Sequence, residues 1–248
     1  MNLQAVLFDL DGTLLEYDMM RDFVPHYFKL LTAGLAHLVA PQTLLAGLEK
    51  GTDAITANDG SRTNETAFAE TFFPAVGVPR EELEPAIMDF YTREFPLLRQ
   101  YTQHKPEARR VVQTAFDLGY DVVIATNPYF PAIATQHRMD WAGVLDFPYR
   151  KVTTYENSHF AKPDPRYFQE ILEELACAPE QTLVVGDETM DMVAAHLGCK
   201  TFLVHSPATK AEEIEPKPTY QGTLEAVSYT HLRAHETVLD LVCRLLLE

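Results

Sequence analysis

The chain has 248 residues, 46% of them hydrophobic, with 11 glycines and 16 prolines, enough to bury one full core and a second smaller one, so it reads as a soluble globular chain of enzyme size. A formal charge of -16 repels nucleic-acid backbones and means that any phosphate group admitted needs a local cation. Cys177, Cys199 and Cys243 show neither metal-ligand nor paired spacing and fit a reducing compartment, while Asp9 interrupts the N-terminal apolar run, so neither a signal peptide nor a membrane anchor is expected and the cytoplasm is the expected location.

The first predicted element is a buried strand, Ala5-Val6-Leu7-Phe8, running directly into Asp9-Leu10-Asp11-Gly12-Thr13-Leu14. Two carboxylates one residue apart thus emerge at the carboxyl end of a strand, where open α/β sheets keep their chemistry. Residues i and i+2 of a strand share a face, so the pair repels unless a cation, a shared proton or a phosphate partner offsets the charge. A hard cation such as Mg2+ suits it best. Gly12 permits a turn closed to other residues, with its amide left free to face an anion, and Thr13 adds a hydroxyl.

The next hundred residues are poor in strand signals. Phe23, Tyr27, Leu30, Leu31, Leu35 and Leu38 recur at helical spacing, followed by Leu44, Leu45 and Leu48, by Phe68, Phe72 and Phe73, and by Leu83, Ile87, Phe90, Tyr91 and Phe95. Four helices fit, and their aromatic stripes are expected to be core packing rather than substrate contacts.

Beyond this segment, helices and strands alternate. A helix from Glu107 to Leu118 leads through Gly119 to the strand Val122-Val123-Ile124-Ala125, which ends in Thr126-Asn127-Pro128. A helix from Pro131 to Met139 precedes a short strand at Lys151-Val152-Thr153-Thr154. Lys162-Pro163-Asp164-Pro165 then places a cation before a helix to Leu175, with Asp164 as N-cap and Pro165 at the first helical position. A third buried strand, Thr182-Leu183-Val184-Val185, delivers Gly186 and Asp187, and a helix from Met190 to Leu197 returns Asp191 to the same strand end before a last strand at Thr201-Phe202-Leu203-Val204. This alternation implies a parallel sheet covered by helices on both faces.

Taken singly, the Thr-Asn-Pro turn or the lysine would mean little. In this order, each at a strand's carboxyl end, the four stretches resemble the haloacid dehalogenase-like superfamily of aspartate-nucleophile hydrolases over about residues 4 to 227. The resemblance implies an α/β fold, a Rossmann-like three-layer parallel-sheet core with an inserted all-α cap domain. The core would span 1–15 and 101–227, and the cap 16–100, hinged near Leu15 to Asp18 and Gln100 to Pro106. It also implies roles. Asp9 would be the nucleophile and Asp11 the acid and base; Thr126 and the amide of Asn127 would hold phosphoryl oxygens beside Gly12. Lys162 would neutralise charge, and Asp9, the backbone carbonyl of Asp11, Asp187 and Asp191 would surround Mg2+. Relatives that cleave carbon-halogen bonds lack an acid at the position of Asp11, because a halide leaves without a proton, so Asp11 points to phosphate chemistry.

The reading is Mg2+-dependent hydrolysis of a small phosphorylated metabolite by a monomer or homodimer with no nucleic-acid or membrane partner. A phosphomutase would need a grip on a second phosphate, for which Arg21, Arg62, Arg80, Arg93 and Arg99 are available. A phosphonate-cleaving enzyme would need a lysine such as Lys29 or Lys50, and a catalytically inactive ligand-binding protein would not need the intact Asp9, Asp11, Lys162 and Asp187. Residues 228–248 resemble a translated sequencing-adapter segment and are expected to be a non-native tail, so His231, His235 and Cys243 are assigned no function.

Overall fold

Strand β1 (Ala5–Phe8) is entirely buried because both of its faces are covered. It is the centre of a structure, a computed structural model, that describes residues 3–206, 209 and 211–228. The tail expected at 228–248 lies outside the described residues except for Ser228, and Cys243 lies outside them too. Cys177 and Cys199 are free, buried thiols, consistent with a packing role.

From β1 the chain passes through a two-residue strand, β2 (Leu15–Glu16), into four helices: α1 (Val24–Gly34), α2 (Pro41–Thr56), α3 (Asn64–Val76) and α4 (Arg80–Arg93). It returns through β3 (Gln103–His104), which pairs antiparallel with β2. The remainder alternates as expected through α5 (Pro106–Asp117), β4 (Asp121–Ile124), α6 (Ala132–Trp141), β5 (Lys151–Val152), α7 (Pro165–Leu175), β6 (Thr182–Gly186), α8 (Thr189–Met192), β7 (Lys200–Val204), β8 (Tyr220–Gly222) and α9 (Leu224–Ala226).

The main sheet is parallel throughout, in the order β5-β4-β1-β6-β7-β8. Val6 and Phe8 pack on one side with residues of α5 and α6, while Ala5 and Leu7 pack on the other with Tyr167, Phe168, Ile171 and Leu172 of α7. Alternation along the strand therefore yields the three layers of a Rossmann-like fold.

Two local expectations shift. The helix expected over 190–197 is α8 followed by a 3-10 turn at Val193–Leu197, because a short crossover between neighbouring strands gains length from the steeper rise of the tighter helix. The strand expected at 151–154 stops at Val152. Thr153 turns its hydroxyl to the Thr126 carbonyl, 2.7 Å away, and the Thr154 amide donates to Asn157 Oδ1. No helix among the described residues is long and apolar enough to cross a membrane.

The four helices between β2 and β3 are fastened to the sheet by an aromatic cluster. Phe95, fully buried in the 3-10 segment that follows α4, has ring centroids of Phe23, Tyr91 and Trp141 within 5.4–5.9 Å. Trp141 belongs to α6, so one side chain joins the two halves. Phe95→Ala is expected to cost about 3–5 kcal/mol of stability, measured by urea unfolding; a loss under about 1 kcal/mol would show that the cluster does not fasten them.

Candidate active site

Asp9 follows β1 and extends its ladder, its amide donating to the Val185 carbonyl at 2.8 Å. Asp187 follows β6, and Asp191 sits in the first turn of α8. Because β1 and β6 are in parallel register, their carboxyl ends meet. Carboxylate oxygens of Asp9, Asp187 and Asp191 lie within 4.8 Å of one another, all three residues buried. Lys162, 2% exposed, bridges two of them: its Nζ donates to Asp9 Oδ1 at 2.8 Å and to Asp191 Oδ1 at 2.5 Å.

Glycine makes this crowding possible at two points. Gly12 has φ +86°, and a Cβ there would lie 2.3 Å from Asp187 Oδ2; at Gly186 a Cβ would lie 2.1 Å from the Asp191 carboxyl carbon. The Gly12 amide is not free as the sequence suggested. It donates to the Leu15 carbonyl at 2.8 Å, because the turn that carries the two aspartates closes on itself. Thr13 directs its hydroxyl to Asp187 Oδ1 at 2.9 Å.

Thr126 and Asn127 lie just past β4. Hydroxyls of Thr153 and Tyr167 donate to the Thr126 carbonyl at 2.7 and 2.9 Å, which fixes the turn from below. Asn127 grips the Lys162 backbone from both sides, Oδ1 accepting from its amide at 3.1 Å and Nδ2 donating to its carbonyl at 3.3 Å. Asp164 caps α7 through the Arg166 amide, with Pro165 beginning the helix, so the helix start that carries Lys162 forms as its sequence dictates.

Burial raises Asp9 from 3.8 to about 7, opposed by Lys162 and reinforced by Asp191 and Asp11. Burial, then the charges of Asp9 and Asp191, holds Asp187 well above the ordinary carboxylate range. Burial alone would lower Lys162, but Asp191 and Asp9 outweigh it and keep the ammonium charged. Once all three carboxylates have released their protons, Asp9, Asp187, Asp191 and Lys162 carry a net charge of 1 - 3 = -2, equal and opposite to that of one divalent cation. An all-oxygen donor set with that deficit fits a hard divalent ion.

Sequence reasoning missed Arg138. Its side chain is fully buried in α6 and forms an ion pair through Nη1 with Asp11 Oδ2. Nε donates to the Ala134 carbonyl, Nη2 to Thr135 Oγ1, and the guanidinium lies 4.9 Å from the Phe130 ring centroid. Thr126 Oγ1 lies 3.3 Å from the same Asp11 oxygen. Asp11 Oδ1 and the nearby Tyr17 hydroxyl are buried with no hydrogen-bond partner among the described residues. The available signal was that position 138 lies one turn after Ala134 and one before Ala142, both fully buried: an arginine on the apolar stripe.

Above these groups opens a cavity of 980 Å³, walled by residues of the four inserted helices and floored by Asp9, Asp11, Gly12, Asn127, Asp187 and Asp191. The aromatics expected to be core packing do pack, and Tyr27, Phe68, Phe72 and Tyr91 also face this cavity, as does Ile87.

A family profile described as haloacid dehalogenase-like hydrolase matches residues 3–197. The chain is 26% identical over 203 residues to the pyrophosphatase PpaX of Anoxybacillus flavithermus, covering 81% of this chain and 83% of that protein. It is 27% identical over 131 residues to a glyceraldehyde 3-phosphate phosphatase of Methanothermobacter thermautotrophicus, covering 51% of this chain and 54% of that protein. Among solved structures, an HAD phosphatase from Thermococcus onnurineus superposes with a TM-score of 0.56 at 20% identity, over 92% of this chain and 97% of that one, a likeness of fold.

Arg138→Met is expected to destabilise the protein by about 3–5 kcal/mol, since it leaves Asp11 unpaired. Adding Asp11→Asn should restore part of that loss in a double-mutant cycle followed by thermal unfolding; strictly additive losses would show that the two groups do not interact.

Proposed function

The chain belongs to the haloacid dehalogenase-like hydrolases, and from that premise we propose that it hydrolyses phosphomonoesters through an aspartyl-phosphate formed on Asp9. The observation that carries the reading is Lys162 Nζ seated between Asp9 and Asp191, the two carboxylates themselves lying at the floor of the cavity, with Asp11 two residues from Asp9. A carboxylate nucleophile, a charge-neutralising ammonium and a separate carboxyl group for the proton are what in-line phosphoryl transfer demands.

Asp9 attacks phosphorus and the bond to the ester oxygen breaks, while Asp11 delivers a proton to the departing alkoxide. Asp11 then takes a proton from water, whose oxygen attacks the phosphorus and releases orthophosphate and the Asp9 carboxylate. Thr126 and Asn127 hold phosphoryl oxygens, and Lys162 offsets the charge that accumulates on them. Arg138 is a positioning residue: by engaging Asp11 Oδ2 it leaves Oδ1 as the oxygen that carries the proton. Mg2+ would be held by Asp9, Asp187 and Asp191 with the Asp11 carbonyl, and when bound it supplies charge neutralisation at the phosphoryl group.

In this reading residues 16–100 form a cap over a core of 1–15 and 101–227, shielding the acyl phosphate from bulk water. The location is cytoplasmic, the substrate a small phosphorylated molecule, and the chain a monomer or homodimer. None of Arg21, Arg62, Arg80, Arg93 and Arg99, nor Lys29 or Lys50, lines the cavity, which favours hydrolysis over the mutase and phosphonate readings.

Asp9→Asn is expected to abolish phosphate release from p-nitrophenyl phosphate with Mg2+; retained turnover refutes the nucleophile assignment. Asp11→Asn should lower kcat/KM for alkyl phosphates by about 10²–10⁴-fold and for p-nitrophenyl phosphate far less, since nitrophenolate leaves without a proton. Equal losses on both esters would reassign the proton donor.

The raised acidities give a signed pH effect. In the metal-free protein Asp9 and Asp187 hold protons that the unfolded chain has released above about pH 4, so their contribution to stability is full at low pH and is lost as pH rises through about 7 for Asp9. Protons and Mg2+ compete for these oxygens. The rise in Tm on adding Mg2+ to the EDTA-treated protein should therefore grow from about pH 5 to about pH 8; a shift independent of pH would separate metal binding from these carboxylates.

A further inference from the structure

The cavity above the aspartates differs in kind from its floor. Its walls are mainly apolar: Leu31 and Leu35 of the first inserted helical stretch, Leu44 and Leu48 of α2, Phe72 of α3 and Ile87 of α4 all face it. No lysine or arginine is among its described lining residues. The charged groups that reach it away from the floor are acids, Asp18, Glu49, Asp53 and Glu188. Three arginines of the helical insert pair away from the cavity: Arg62 with Glu70, Arg80 with Glu65 and Glu84, and Arg93 with Asp89. Met20, 74% exposed, and Leu45, 38% exposed, line the cavity and also reach solvent, which gives it an apolar mouth.

A leaving group carrying a carboxylate or a second phosphate would find no cation on these walls, only acids, hydrocarbon and neutral side chains such as Tyr27, Thr52, Tyr91 and Tyr155, so its charge would go unneutralised. At 980 Å³ the space is at the upper end of the roughly 300–1,000 Å³ of small-molecule sites, far more than a two- or three-carbon alcohol fills. We propose that the substrate is the monophosphate of a bulky, uncharged hydrocarbon-chain alcohol, its chain lying among Leu31, Leu35, Leu44, Leu48, Phe72 and Ile87 and its phosphate at Asp9. This assignment rests on the phosphomonoesterase reading above and adds the class of alcohol.

The test is a series of n-alkyl phosphates from ethyl to octyl, kept below micelle-forming concentrations, against pyrophosphate, phosphoglycolate, glucose 6-phosphate and phosphocholine, with phosphate release and Mg2+ present. Each methylene transferred from water to the cavity is worth about 0.8 kcal/mol, so kcat/KM should rise about threefold to fourfold per carbon. In parallel, the same alkyl phosphates are titrated into the Asp9→Asn variant by calorimetry, where affinity should rise by the same factor. A flat chain-length dependence in both measurements overturns the proposal, as does faster turnover of any polar, anionic or quaternary-ammonium ester than of octyl phosphate. Phosphate release with that polar preference would leave the phosphatase reading intact. Chain-length-dependent binding with no phosphate released from any ester, p-nitrophenyl phosphate included, would instead uphold the hydrocarbon site and overturn the hydrolytic reading.

Discussion

Three carboxylates gathered in a buried pocket repel one another, and much of the surrounding structure holds them together against that repulsion. The Lys162 ammonium removes part of the unfavourable charge, and its own burial is offset by hydrogen bonds to Asp9 and Asp191. Its backbone is pinned by Asn127 and its ammonium lies near the rings of Tyr167 and Phe168. The parallel register of β1 with β6 brings two of the acids to one edge; Gly12 leaves room for Asp187 there, and Gly186 removes the carbon atom that would hold Asp191 away. What remains is a pocket of carboxylates that can exchange their protons for a divalent cation, a disposition suited to a cation and a phosphoryl group together.

A second buried ion pair lies beside the first cluster with a different task. Arg138 and Asp11 neutralise each other, and Ala134 and Thr135 take up further donors of the guanidinium. The two aspartates one residue apart thus have separate cationic partners, Lys162 for Asp9 and Arg138 for Asp11. The arginine fork holds one oxygen of Asp11 in a fixed direction, which a lysine's single point charge would not do.

Much of this was legible in the sequence where the information is local. The apolar runs that end in Asp9, Thr126 and Asp187, the proline after the Asp164 cap, and the alternation of helix and strand are short-range patterns, and they fixed the sheet and the floor of the site. Arg138 was not legible as a partner for Asp11, because their meeting depends on how α6 settles against the sheet across 127 positions of chain. The Gly12 amide was misread because a turn's internal hydrogen bonds depend on its path, and that path returns to Leu15. Periodicity marked Tyr27, Phe72 and Tyr91 as inward-facing, but it cannot distinguish an interior filled by other side chains from one left open; only the packing of the four helices decides that.

The β2–β3 ribbon has a wider consequence. It pairs Leu15 with His104 and Glu16 with Gln103, while Lys105 Nζ reaches both the Gly12 carbonyl at 2.6 Å and Glu16 at 2.8 Å. The two ends of the insert are therefore stitched side by side, and the sheet experiences everything between them as one closed loop with fixed ends. Loop closure depends only weakly on length once the ends are held. Changes of length in the material hanging from this ribbon therefore act on the strand ends that carry the aspartates mainly through the aromatic contact with Trp141, not through the two ends of the loop.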